Sequence, residues 1–463
     1  MLNKNDNFSA ITYTIAVLFP SNLYKVRSPM QNTKKLALAV LVQTAIISTA
    51  FASEQSESKG FVEDAEGSVL FRTGYLSRDK TNYRDNITGL EKQVDDTSSA
   101  AQTAMFKLES GYTKGIVGFG IGVIGDASFK LGDNNHSGNN MIPHDDQGNP
   151  YDHWARGGGI VKARISNTEV RYGTQVLDLP VLASNTTRLV PEYFEGVLAT
   201  SREINGLELT VGKFTKNQMS DQISTDENEL DRAVVWGAKY KFNDKVNASY
   251  FGIDSKNALE RHYVNANYKQ TLANNSSLTY DFSGYHTEFD EEAETYSQTT
   301  DDLSDRKNDI WAISGTYNTG YHNIMLAYQQ NSGNVGYDYG QNADGFQSIY
   351  LPNSYLSDFI GNDEKSAQVQ YTYDFAGLNV PGLTWTTAFV YGWDIKVKDV
   401  TNDAQEREFF NQVKYTVQSG FAKDASLRLR HSYYRASDEY QAGNYIGDTN
   451  EWRIWLDIPV KFF

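Results

Sequence analysis

The sequence has 463 residues, no cysteine, 13% aromatic residues and a formal charge of −16. Nothing in it calls for a disulfide framework or a thiolate site, and nucleic acid is not an expected partner. Its mean hydropathy is negative, which ordinarily means a water-soluble protein, but a membrane β-barrel escapes that rule because only every second strand residue meets lipid.

Near the start, Lys34-Lys35 precede the apolar run Leu36–Phe51, which ends in the small-x-small pattern Ala50-Phe51-Ala52. A leader beginning at Met30 and cleaved after Ala52 is expected. As a membrane anchor the run is too short and is interrupted by Gln43, Thr44, Ser48 and Thr49. Residues 1–29 read as an upstream extension outside the functional protein, and 53–463 as one domain. Losing Lys4, Lys25, Arg27, Lys34, Lys35 and Asp6 takes the charge from −16 to −20. No later stretch approaches the ~20 apolar residues of a membrane helix. An exported chain that still enters a membrane must then do so as a barrel.

Ser53–Asp64 reads as a short periplasmic tether. The first strand carries Val69, Phe71, Thr73 and Tyr75 on one face, with Arg72 and Arg78 on the other. Strands follow at Thr103–Tyr112 and Gly115–Phe129, then a long outer loop over 131–157. Gly157–Tyr172 holds two strands around a turn at Asn167. Gly173–Glu192, which includes Leu177, Pro180 and Arg188, is too hydrophobic for a loop bathed in water. Folded into a barrel lumen, it would be a constriction loop. From Tyr193 on, short turns such as Asn205-Gly206 and Asn243-Asp244 alternate with long acidic loops, Asp290–Asp309 and Gly333–Asp363. That alternation is the outer-membrane pattern. About sixteen strands can be named directly; an even number, eighteen, suits the length at roughly 23 residues per strand and connection.

The last fifty residues carry the functional signal. Leu427 and Leu429 alternate with Arg428 and Arg430; Val413 and Tyr415 flank Lys414. Trp452, Ile454, Leu456, Ile458, Val460 and Phe462 alternate with Glu451, Arg453, Trp455 and Asp457. If the apolar face meets lipid, the cations line a lumen. Barrel closure brings the first strand beside the last, so Arg72 and Arg78 join Lys414, Arg428, Arg430 and Arg453 in one wall. A carboxylate can move along such a wall between guanidinium forks. Several moderate sites favour passage over trapping.

Blocks spread along the chain resemble the OprD-type porins, the outer-membrane carboxylate channels of Gram-negative bacteria. They include Lys59-Gly60-Phe61-Val62-Glu63-Asp64, Phe71-Arg72, Ser77-Arg78-Asp79, Gly115-Ile116-Val117-Gly118-Phe119-Gly120, Ala163-Arg164-Ile165-Ser166, Gly206-Leu207-Glu208-Leu209, Val417-Gln418-Ser419-Gly420 and Leu427-Arg428-Leu429-Arg430. The resemblance implies an eighteen-stranded all-β transmembrane barrel, monomeric or trimeric, with an inward third loop. It places Arg72, Arg78, Lys414, Arg428, Arg430 and Arg453 in a basic ladder. Across the eyelet it places Asp358, with Ser354 and Tyr355 in the same segment, which is one residue shorter than the usual pattern. The implied solutes are small carboxylates and amino acids, with carbapenem-type antibiotics among them. Outer-membrane lipid, lipopolysaccharide and the assembly machinery are the expected partners, and no cofactor is expected. The lipid-facing parity ends at Phe462 rather than Phe463, a departure from the general assembly signal.

An outer-membrane enzyme and a β-rich adhesin are the alternatives. The sequence has no Gly-x-Ser-x-Gly and no His-Glu-x-x-His. His136, His144 and His153 lie irregularly among Asp145, Asp146 and Asp152, which suits a solvated loop better than a metal site. An adhesin needs no ladder of cations.

Overall fold

The computed structural model describes residues 53–84, 90–132, 138–227, 230–291, 293, 305–333, 335–339, 348–442 and 446–463. The expected leader and the segment before it lie outside these. All described residues belong to one unit, 44–463. Eighteen long strands form its wall: β1 (Glu66–Lys80), β2 (Thr97–Glu109), β3 (Val117–Lys130), β4 (His153–Ile165), β5 (Thr168–Gln175), β6 (Tyr193–Ser201), β7 (Leu207–Gln218), β8 (Ala233–Lys241), β9 (Val246–Ser255), β10 (Leu259–Thr271), β11 (Ser277–Phe289), β12 (Lys307–Thr319), β13 (His322–Gly333), β14 (Lys365–Asp374), β15 (Leu383–Ile395), β16 (Ala404–Thr416), β17 (Ser426–Ala436) and β18 (Thr449–Lys461). Each pairs antiparallel with its neighbours in sequence. β1 also pairs with β18, from Ser68 opposite Lys461 to Lys80 opposite Thr449. The sheet is therefore closed and presents no free edge.

Alternation in sequence becomes inside and outside. On β3, Val117, Phe119, Ile121 and Val123 are exposed on the outer surface, while Gly118, Gly120, Gly122 and Ile124 point inward and are buried. Tyrosines 240, 268, 280, 317 and 415 are exposed near the short-turn end, where amphipathic rings suit the membrane interface. At that end β4 and β5 are joined by 166–167 alone, and β12 and β13 by 320–321. The opposite end carries longer connections, among them 131–152 and 334–364.

Two local expectations differ from what is observed. Segment 53–64, expected as a short tether, is held against the wall: Gln55 donates from Nε2 to the carbonyls of Thr113 (2.9 Å) and Gly115 (3.1 Å). Its carboxamide fills the space a Cβ at Gly118 would occupy, so glycine there makes room for the contact. Strand ends were also underestimated. β10 starts at Leu259, β12 at Lys307, and β4 at His153 within the stretch expected to be loop. At these ends the strands outrun the lipid, so outward positions such as Glu260 and His262 are polar and the alternation fades.

Candidate functional site: a constriction inside the barrel

Between β5 and β6 the chain runs into the lumen. Leu177, Leu179, Val181 and Leu182 pack with Phe194, Phe214, Phe251, Ile253, Tyr263 and Tyr285, inner side chains of β6 to β11. Burial of such side chains is worth about 1.5–3 kcal/mol each, which is why a hydrophobic loop is stable inside a wet bore. The segment is not structureless: Asp178–Leu179 pairs with Leu182–Ala183 in a small hairpin. The carbonyl of Pro180 accepts from the Tyr285 hydroxyl at 3.0 Å. Farther along, Leu189 and Val190 join Leu76, Trp154 and Trp455 of β1, β4 and β18. The loop thus crosses the lumen from one wall to the other.

The six expected cations share the inward parity of β1, β16, β17 and β18. Lys414 stands opposite Arg428, Arg430 opposite Arg453, and Arg72 opposite Asp457. They are not equivalent. Arg72 makes a two-pronged bond to Asp457 (2.7 and 3.0 Å) and lies over the Trp455 ring, 5.4 Å from its centre. Gly74 faces that indole, and a Cβ there would come within 2.0 Å of it. Glycine is what allows the ring and the guanidinium to lie against the wall. Arg78 and Arg453 share the buried carboxylate of Glu451, at 2.8 Å and at 2.5 and 3.1 Å. Arg72 also donates to the carbonyls of Arg188 and Leu189 (3.3 and 3.4 Å), and Arg453 to that of Thr187 (3.3 Å). Three of the six cations are therefore held by two carboxylates, and two of them, Arg72 and Arg453, fasten the inward loop. Among the described residues, Lys414, Arg428 and Arg430 have no ion pair.

The acidic side lies in the connection 334–364 between β13 and β14. The Asp358 carboxylate accepts from Ser354 Oγ and from the Tyr339 hydroxyl. The backbone turns sharply at Phe359, whose φ of 54° is an unusual conformation for an aromatic residue. Gln329 on β13 holds that turn by donating to the carbonyls of Asp358 (3.0 Å) and Phe359 (2.8 Å). Glu408 on β16 accepts from the backbone of Leu356 and Ser357, each at 3.1 Å. Burial pushes the Asp358 carboxyl above its ordinary value, while Ser354, Tyr339, Arg453 and Arg430 pull it down. Arg430 reaches this segment, donating from Nη2 to the Tyr355 carbonyl (3.2 Å), and lies over the Phe410 ring (4.9 Å).

Other expected residues take supporting positions. Leu177 and Pro180 sit in the apolar anchor. Arg188 is 2% exposed and donates to Thr187 Oγ1 at 2.8 Å; burial, with Arg453 and Arg78 nearby, pushes its guanidinium down. The Tyr355 ring stacks on Phe410 at 4.2 Å. Glu451, Asp457, Glu408, Tyr339 and Arg261 were not singled out from sequence. Glu451 and Asp457 share the parity of Arg453, and that was a usable signal. Arg261, fully buried beneath the Tyr337 ring and bonded to the Asp338 carbonyl, contacts residues 76 and 77 positions away along the chain and had none. His136 lies outside the described residues, and His153 opens β4. Among the described residues no three His, Cys, Asp or Glu side chains are grouped to hold a metal.

The family model described as "outer membrane porin, OprD family" matches residues 59–462. The chain belongs to the OprD family. It is similar to Porin D of Pseudomonas aeruginosa, with 34% identity over 455 residues covering 92% of this chain and 98% of that one. The crystal structure of OccAB1 from Acinetobacter baumannii matches with 70% identity and a TM-score of 0.84, covering 89% of this chain and 100% of that one. OccK2 of Pseudomonas aeruginosa, solved in complex with glucuronate, matches at 25% identity and a TM-score of 0.71, covering 88% of this chain and 100% of its own. An OprD-family barrel belongs in the Gram-negative outer membrane, and these relatives are channels rather than enzymes.

Proposed function

We propose that this OprD-family channel passes small carboxylate-bearing solutes, above all amino acids, by passive diffusion, and that carbapenem-type antibiotics follow the same route. The observation that carries the reading is the contrast within the cationic row. Arg72, Arg78 and Arg453 are occupied by acids and by the inward loop, whereas Lys414, Arg428 and Arg430 have no ion pair among the described residues. On this reading the second set exchanges carboxylates, which gain charge-assisted hydrogen bonds at each stop. Neighbouring strands lie about 4.8 Å apart, so a solute passes from one cation to the next without losing contact. Asp358 supplies the opposite charge and would hold the ammonium or guanidinium of a zwitterion. That OccK2 was solved with glucuronate, itself a carboxylate, supports the solute class.

On this reading the leader 30–52 is removed on export, and the assembly machinery inserts 53–463 as a monomer or homotrimer. The test is permeation of arginine and succinate side by side in one reconstituted preparation of wild type and Asp358→Asn. The expected outcome is a selective loss of arginine flux. An unchanged ratio of the two fluxes removes Asp358 from the mechanism, and absence of carboxylate flux in wild type removes the function.

A further inference from the structure

The outer surface of the wall carries a charged feature that faces away from the lumen. Arg407 on β16 and Arg435 on β17 are direct cross-strand partners. Tyr391 on β15 stands opposite Arg407 on its other side. Both arginines share the parity of Phe409 and Tyr433, which are exposed on the outer surface at 47% and 43%; Glu406, Glu408 and Tyr434 alternate with them and are buried inside. The pair lies toward the end of the barrel that carries the long connections, just beyond Phe409, Tyr433 and Trp452. In an outer-membrane barrel, aromatic rings such as these mark the interface, which would set the pair at the head groups of the outer leaflet.

Like charges directly opposite one another on one face of an antiparallel pair are destabilising, with Cβ atoms about 5 Å apart. In a chain with sixteen more acids than bases, two arginines at such a position call for an anion. One of them is already oriented. Arg435 lies 3.6 Å from the centre of the Tyr433 ring and donates to the carbonyls of Tyr434 (2.6 Å) and Thr449 (3.3 Å) and to Asn450 Oδ1 (3.1 Å), with Asp448 at 3.7 Å. Asp448 offsets one positive charge and leaves the other. Arg407 is exposed, and among the described residues its guanidinium has no hydrogen bond or ion pair.

We propose that Arg407 and Arg435 bind a phosphate of a phosphorylated glycolipid in the outer leaflet, of the lipopolysaccharide class. A phosphate between the two accepts from the open fork of Arg407 and from the remaining Nη2 hydrogen of Arg435, and offsets their repulsion. The acyl chains of the same molecule then lie along Phe389, Phe409 and Val413, which are exposed below the pair. This apolar surface distinguishes a lipid from free phosphate, which would gain nothing from it.

The experiment uses the folded protein in detergent, titrated with bisphosphorylated lipid A, with the same lipid dephosphorylated, and with inorganic phosphate. Retained lipid is counted by native mass spectrometry. Wild type should retain the bisphosphorylated lipid at about tenfold lower concentration than Arg407→Gln, the worth of one charged hydrogen-bonding fork. Arg407→Lys should fall between them. Single-channel conductance, set on the other side of the wall, should be the same for all three and shows that each has folded. Equal retention by wild type and Arg407→Gln overturns the proposal, as does equal retention of the dephosphorylated lipid. Displacement of lipid A by an equal concentration of inorganic phosphate overturns it too, by assigning the pair to a free anion.

Discussion

Arg430 and Tyr355 tie the basic row to the acidic segment: the guanidinium donates to the Tyr355 carbonyl at 3.2 Å, three residues before Asp358. Arg430 therefore does two things, and its neighbour Arg428 only one. Arg428→Ala should lower carboxylate flux roughly tenfold, as for loss of one charge-assisted hydrogen bond of about 1.5 kcal/mol, and leave discrimination of cationic solutes intact. Arg430→Ala should lower both. The double variant should still assemble, since lumenal residues tune selectivity more than stability. Unchanged uptake in a correctly inserted double variant would remove the row from the mechanism.

Acidification should weaken the preference for cationic amino acids before it affects simple carboxylates. Burial raises the Asp358 carboxyl above its ordinary value, and an ordinary aspartate titrates near about 3.9. The negative charge is present above the raised value and is lost as pH falls through it. The arginine-to-succinate ratio should thus decline at a higher pH than an unperturbed aspartate would allow. In Asp358→Asn the same titration should show no such step.

Shortening Ala183–Arg188 should raise conductance and blur selectivity. The deletion removes the carbonyls of Thr187 and Arg188 that Arg453 and Arg72 hold, while Leu177, Leu179 and Leu182 keep the loop's other end on its wall. Planar-bilayer recordings at two salt concentrations measure both effects. Wild-type conductance in the shortened protein would place this stretch off the solute path.

Glu451→Gln should destabilise the barrel more than Asp457→Asn does. The Glu451 side chain is 1% exposed and serves two arginines, whereas that of Asp457 is 22% exposed and serves one. Stranding two cations around a buried amide should cost about 3 kcal/mol, and the Asp457 change about 1 kcal/mol. Urea midpoints of the refolded proteins in one lipid compare them directly. The opposite order would show that Arg78 and Arg453 find other partners.

The barrel and the cationic row were legible because both rest on parity. Once Leu427 and Leu429 are assigned to lipid, Arg428 and Arg430 have only one place to go. Parity also marks Glu451 and Asp457 as inward, but it does not say that these two acids hold three of the six cations. What parity cannot reveal is how the inward-folded connections meet themselves and the wall. Tyr339 on Asp358, Glu408 on Leu356 and Ser357, and Arg261 beneath Tyr337 join segments whose sequences carry no common period. The hydrophobicity of 173–192 points to the lumen, yet not to the two walls that the loop joins.

The pairing of β1 with β18 runs through the middle of the cationic row: Arg72 on one side of that join bonds Asp457 on the other, and Arg78 bonds Glu451. The two strands are synthesised nearly four hundred residues apart. While the sheet is open along this line, Arg72 and Arg78 are parted from Asp457 and Glu451, so closing the wall and completing these ion pairs are one event. The last pairing of the sheet is thereby also the step that brings two lumenal acids to the arginines of the first strand.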